Sequence, residues 1–285
     1  MANFNKIVNL TFRTATGNAF SITTPKHGIK PQIEISGNLT MEGYTHNFEV
    51  RITNLFTDSI EGDITDIEVV AGYEGKLSAG IYGKVQNVYT ETPGPDKVTV
   101  LSCISANYDS WINKTIDLKL KANFTLQNAI TQVTTALGFE PAIIDLTLAT
   151  KICTAPLEHN GRCSEAIAKI KSMFPGVTII TDGKKLRVFP TEAKAANMVV
   201  HHLPLLTQAP QFTGSTVSLV APWEPMVKPG DYITFPTTFN KISLGSVIFD
   251  TAMVNSIQFH FATNTDANEM IVSGTPASKL LSEVK

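Results

Sequence analysis

The chain has 285 residues, 23 Lys+Arg against 25 Asp+Glu, and a formal net charge of −2. Charged residues make up 17%, below the usual quarter, hydrophobic residues 43%, and 34 residues are threonine. This balance excludes a nucleic-acid binder that works through bulk positive charge and excludes a disordered chain, while it suits β-sheets and surfaces covered by neighbours.

Residues 1 to 121 read as strands separated by turn chemistry. Short β-type runs stand at Ile7–Phe12, Gln32–Ser36 and Phe48–Thr53, and in NFEVRIT the residues Phe48, Val50 and Ile52 share one face. The turn-like Glu61-Gly-Asp-Ile then leads to strands over 67–75 and 78–89. A Pro/Gly turn at 92–96 precedes a strand over 97–105. Gly72, Gly80 and Gly83 inside these strands signal bulges or close backbone approach. Strands returning this often read as a small antiparallel barrel or sandwich. The alternating run 115–121 is either its last strand or the link onward.

The middle segment, 122–198, reads as a small α+β unit of two helices and a hairpin. Thr125 is placed to cap a helix to Leu137 with Leu126, Ala129, Ile130, Val133 and Leu137 on one face, and Gly138 follows at its end. A second helix runs from Arg162 to Phe174 and stops at Pro175-Gly176. VTIIT, Asp182-Gly183 and KKLRVFP then carry the strongest hairpin signal in the chain.

From 199 to 285 strands return, at 215–220, 230–236, 246–262 and 268–274, followed by a tail read as a helical turn or a frayed end. This order echoes the first β region: a Gly-Asp start (Gly62-Asp63; Gly230-Asp231) with an apolar strand, a long strand pair, a polar turn and a closing strand. Identity between them is slight, so the match is one of pattern.

Signatures of chemistry are sparse. No nucleophile elbow, zincin motif, phosphate-binding loop or dinucleotide fingerprint occurs. Cys103, Cys153 and Cys163 are too few and odd in number for a disulfide framework. Cys153, His159 and Cys163 match no close-paired metal spacing, and His201-His202 would point to opposite faces of a strand. Glu42, Glu49, Asp58, Glu61, Asp63 and Asp66 read as solvated turns and polar strand faces rather than a catalytic pair. Trp111 and Trp223 are isolated, and Trp223 sits in a Pro-flanked loop. No cofactor or metal is implied, no apolar run spans a bilayer, and no signal peptide opens the chain. A non-enzymatic, β-rich assembly or binding protein is expected.

In segment order the chain resembles a known family. PQIEISG, NFEVRITNL and IEVVAGYEG with the IYGKV strand look like the opening barrel of phage tail baseplate hub proteins, which include late-control D proteins and the hub part of type VI secretion spikes. The helix–helix–hairpin segment with GVTIITDGKKLRVF resembles the insert between their two barrels. KPGDYITFP with VIFDTAMVNSIQFHF resembles the second barrel.

The resemblance implies a mainly β (α+β) fold: two tube-protein-like antiparallel β-barrels (1–121 and 199–285) flanking the α+β insert (122–198). It implies a homotrimer in the virion tail baseplate, assembled in the host cytoplasm. That ring would adapt a sixfold tail tube to a threefold spike and line a channel that passes DNA without specific binding. Partners would be the tail tube protein, a spike or tail lysin and other baseplate proteins. Val69, Tyr82, Val85, Val254 and Ile257, on the long strands, are the expected subunit or tube contacts. The alternative is a soluble two-domain carbohydrate-binding or hydrolytic module, or another tail part such as a distal tail or tube-terminating protein.

Overall fold

The computed structural model describes every residue except 1–4, 25–30, 42–45, 56–63, 79, 184, 192–198, 214, 237–250, 267 and 277–285. The turn at Glu61, the Gly62-Asp63 pair, the start of the 246–262 strand and the terminal tail therefore lie outside the described residues. The chain is mainly β, with 21 strands and four helices among the described residues.

The strands in chain order are β1 (Lys6–Thr14), β2 (Ala19–Thr23), β3 (Ile33–Thr40), β4 (Asn47–Thr53), β5 (Ile64–Tyr73), β6 (Lys76–Leu77), β7 (Ile81–Glu91) and β8 (Val98–Ser105). Next come α1 (Tyr108–Ile112), β9 (Thr115–Leu120), β10 (Phe124–Thr125), α2 (Leu126–Leu137), β11 (Ile143–Ile144), α3 (Leu146–Ala149), β12 (Ile152–Cys153), β13 (Leu157–Arg162), α4 (Cys163–Met173), β14 (Val177–Asp182) and β15 (Lys185–Pro190). The last group is β16 (Val200–His202), β17 (Gln211–Thr213), β18 (Thr216–Pro222), β19 (Tyr232–Thr234), β20 (Thr251–Ala262) and β21 (Glu269–Pro276).

Two compact units result. One comprises 1–41, 45–106 and 199–285, the other 42–44 and 107–198. Strand β9, for which the sequence left two readings, pairs with β13 and packs Ile116 and Leu118 into the core of the second unit.

In that second unit the local signals act as read. Thr125 Oγ1 accepts a hydrogen bond from the Asn128 N–H at 3.2 Å, satisfying one of the orphan donors of α2. Gly138 takes the left-handed conformation (φ 73°) and ends the helix. The β14–β15 hairpin turns at Asp182-Gly183, and β11 adds to β15 in parallel. Leu126, Ile130, Val133, Ile167 and Ile170 form the helical side of this core.

The first unit differs from the expectation of two barrels. No closed barrel is found among the described residues, and both β regions belong to one continuous sheet. Its main path runs β17-β18-β21-β20-β3-β4-β8-β7-β5-β1-β2. The junction is β20 on β3, seven antiparallel pairs from Ser256↔Thr40 to Ala262↔Glu34. Pairing across more than 200 residues leaves no local trace, which is why the strand pattern alone suggests separate barrels. One apolar core, including Val50, Leu101, Leu219, Ile257 and Phe261, serves both halves.

Within that sheet the two halves repeat. Spatial order β3-β4-β8-β7-β5 in the first matches β17-β18-β21-β20-β19 in the second, with the same chain order and the same antiparallel pairings. A register shift falls between Val85 and Asn87 in β7 and between Val254 and Ser256 in β20. Counted from those bulges, Val85↔Cys103 corresponds to Val254↔Gly274, Phe48↔Cys103 to Val217↔Gly274, and Lys84↔Asp66 to Met253↔Tyr232. The halves diverge outside this unit of five: β1 and β2 extend the first by antiparallel pairing, whereas β16 joins β19 in parallel.

Candidate functional site

Because side chains alternate along each strand, the sheet has one apolar and one polar face. Phe48, Val50 and Ile52 of β4, Ile257, Phe259 and Phe261 of β20, and Leu101 and Cys103 of β8 enter the core. Their neighbours Asn47, Glu49 and Arg51, Gln258 and His260, and Ser102 turn the other way. Of these, Asn47, Glu49, Gln258, His260 and Ser102 border, with Ser36 and Asn38, a depression of about 690 Å³ across the β20–β3 junction. Its lining also includes Glu269 and Ile271 and, among the described residues, no Lys or Arg.

Nearby positive charge is already neutralised. The Arg51 guanidinium donates to Glu49 Oε1 at 2.8 Å and also to Glu91, and the Glu49 hydrogen bond leads in raising its pKa further. His260 Nδ1 lies 3.5 Å from Glu34 Oε1. The face is therefore polar, weakly acidic and crossed by an ion-pair network, which presents little attraction to a polyanion.

The expected contact residues fall into two groups. Val69, Val254 and Ile257 are at most 1% exposed and belong to the chain's own core. A side chain without accessible surface offers a partner nothing directly. Val85 is partly buried against the same core, and Tyr82 is half-buried on β7 opposite Glu68. Alternation does not separate an apolar residue facing the core from one facing a partner, so these two groups look alike in sequence.

The remaining candidates take structural places. Cys163 is buried in α4, where burial pushes its thiol up to about 11. His159 Nε2 is 3.0 Å from the Arg162 carbonyl oxygen. Among the described residues no group of three or more His, Cys, Asp or Glu is arranged to hold a metal. His201 and His202 do point apart, His201 to Asp231 Oδ2 and His202 to Thr234 Oγ1, each at 3.0 Å. Trp223 is 7% exposed, stacked on Phe259 and tilted against Phe261. Trp111 is buried in the second unit. Lys185 pairs with Glu140 at 3.0 Å. Of the carboxylates, Glu49 pairs with Arg51 and Asp66 accepts from Thr65. Glu42, Asp58, Glu61 and Asp63 lie outside the described residues.

No protein-family model and no curated protein sequence matches the chain. Solved structures do. The 43 kDa tail protein of prophage MuSo2 from Shewanella oneidensis superposes with a TM-score of 0.63 at 10% identity, covering 96% of this chain and 99% of that one. A tail protein from Neisseria meningitidis MC58 gives 0.57 at 10% identity, covering 95% and 97%. The fold is that of phage tail proteins. A third match is the E. coli c3393 protein, a type VI secretion component described as structurally similar to the T4 tail proteins gp27 and gp5. It gives 0.56 at 9% identity, covering 89% and 76%. Among the described residues no helix is long and apolar enough to cross a membrane.

Proposed function

We propose that this chain is a structural baseplate hub of a phage tail, three copies of which close into a ring between the sixfold tail tube and a threefold spike. Each copy contributes two tube-like units, one within 1–121 and one within 199–285, with 122–198 in the insert between them. The observation that carries this is the five-strand repeat with matched bulges. A threefold ring can imitate sixfold symmetry only if every subunit presents the same unit twice. The polar face, poor in free positive charge, is the wall past which DNA slides without being held. Neighbours in the assembly are the tail tube protein, a spike or lysin and other baseplate proteins, and the chain resides in the virion tail. The shared fold with tail proteins supports this placement by analogy.

Electron cryomicroscopy of tails containing this chain tests the proposal. The expected image, averaged with threefold symmetry, has six sheet units around the channel at the tube's distal end with Glu49 and Gln258 on the wall. Density that places one copy per ring position at sixfold symmetry, or away from the channel, would overturn it.

A further inference from the structure

Among the described residues the repeat leaves one matching strand edge without a partner strand. On β20, the edge opposite β21 is filled by β19 over 251–253 and by β3 over 256–262. On β7, the matching edge opposite β8 is filled by β5 over 81–84 only. From Val85 to Glu91 no strand among the described residues takes it. The counterpart of β3 in the second half is β17, which stands at the end of the sheet path. An unpaired strand segment is a template for another chain.

We infer that β17 of a second copy of this chain adds to the carboxyl half of β7, repeating between chains the β3–β20 junction within one. The equivalence fixes the register as Gln211↔Glu91, Phe212↔Thr90 and Thr213↔Tyr89. Side-chain size supports this partner. Within the chain, Gly37 of β3 lies between Phe48 of β4 and Phe259 of β20, and a Cβ on Gly37 would stand 2.5 Å from that of Phe48. In the seam between chains the order inverts: Phe212 lies between Val217 of its own β18 and Thr90 of the neighbour. Two large residues around glycine become two smaller residues around phenylalanine. Exchanging the strands would set Phe212 against Phe259, or leave Gly37 facing Thr90 across a gap, so the swap keys each strand to its own slot. Thr90 is exposed and Tyr89 is 38% exposed, as expected of residues awaiting a cover. Pro210 and Pro93 both stand beyond the Gln211↔Glu91 end of the seam and stop it there.

This seam rests on the trimeric ring proposed above, and the test separates the two. The pair Tyr89/Thr213 corresponds to Gln258/Asn38. That pair falls between the bonded pairs marked by Met41 N–H to the Asn255 carbonyl and Thr263 N–H to the Ile33 carbonyl. Such non-bonded pairs bring Cα atoms to about 4.5 Å, within disulfide range. In the full chain carrying Cys153→Ser, oxidation of the Tyr89→Cys/Thr213→Cys variant is expected to give covalent dimers and trimers on a non-reducing gel. The Thr90→Cys/Thr213→Cys variant, one residue off register, is expected to stay uncrosslinked. Thr90→Phe, at an exposed position, is expected to weaken self-association about tenfold or more by overfilling the slot. A trimer in which neither pair, or both equally, cross-links overturns the seam and leaves the ring standing. Association unchanged by Thr90→Phe overturns the size key. A chain that is monomeric at every concentration overturns both seam and ring.

Discussion

Val254→Glu is expected to prevent the large sheet from folding. Val254 has no exposed surface, its N–H donates to the Asp231 carbonyl, and its own carbonyl accepts from Gly230 N–H, so the backbone there has no room to turn outward. An uncompensated buried charge costs about 3–5 kcal/mol, a large part of the ~5–15 kcal/mol that separates folded from unfolded domains. The outcome is insoluble chain, or a Tm lower by about 10 °C or more. Ile257→Lys belongs to the same class, with Ile257 1% exposed. Gln258→Glu is the control: the next residue along β20 is exposed on the polar face, and its change is expected to stay within about 0.5 kcal/mol. Thermal unfolding of the three variants decides. A Val254→Glu chain as stable as Gln258→Glu would mean that the strand faces are assigned the wrong way round.

The second large effect centres on Phe48. Its ring fills the space above Gly83, where an added Cβ would stand 2.4 Å from the Phe48 Cζ and 3.1 Å from the Cys103 Cβ. Gly83→Ala therefore overpacks the core and is expected to cost about 1–3 kcal/mol, although alanine suits an extended strand better than glycine does. Phe48→Ala leaves a cavity worth about 3–5 kcal/mol. Because the new methyl enters the space the ring vacates, the double variant is expected to lose less than the sum, by about 0.5–3 kcal/mol. Denaturant unfolding of the four proteins measures this coupling. Strict additivity would show that the ring moves aside and that the glycine has another reason.

How far the sequence discloses the fold follows from the range of each interaction. The caps of α2 at Thr125 and Gly138 and the Asp182-Gly183 turn are read correctly because each acts within a few residues. The alternation in Asn47–Thr53 shows which side chains are buried, since a strand facing core and solvent writes its period directly. Pairing partners carry no such mark. The meeting of β3 with β20 depends on residues more than 200 positions apart, and so the single sheet was hidden. The glycines offered bulges or close approach. The bulges fall elsewhere, at Thr65, Gln86 and Asn255, while Gly72, Gly80 and Gly83 are places where a Cβ would meet neighbouring atoms.

The polar face was partly legible for the same reason of alternation, through Gln258 and His260. Its ion pairs and the neutralisation of Arg51 needed three strands in register. Interface candidates were the least legible. Val254 is fully buried and Phe212 packs half-buried against the same core, a difference that neither residue type nor alternation discloses.

Native mass spectrometry of the full chain over a concentration series tests the ring most directly. With each chain at 30.9 kDa, the predicted result is a growing species at about 93 kDa, three copies, without dimers as an end state. A chain that stays at 30.9 kDa at every concentration, or that ends as an even-numbered assembly, would contradict the trimeric hub.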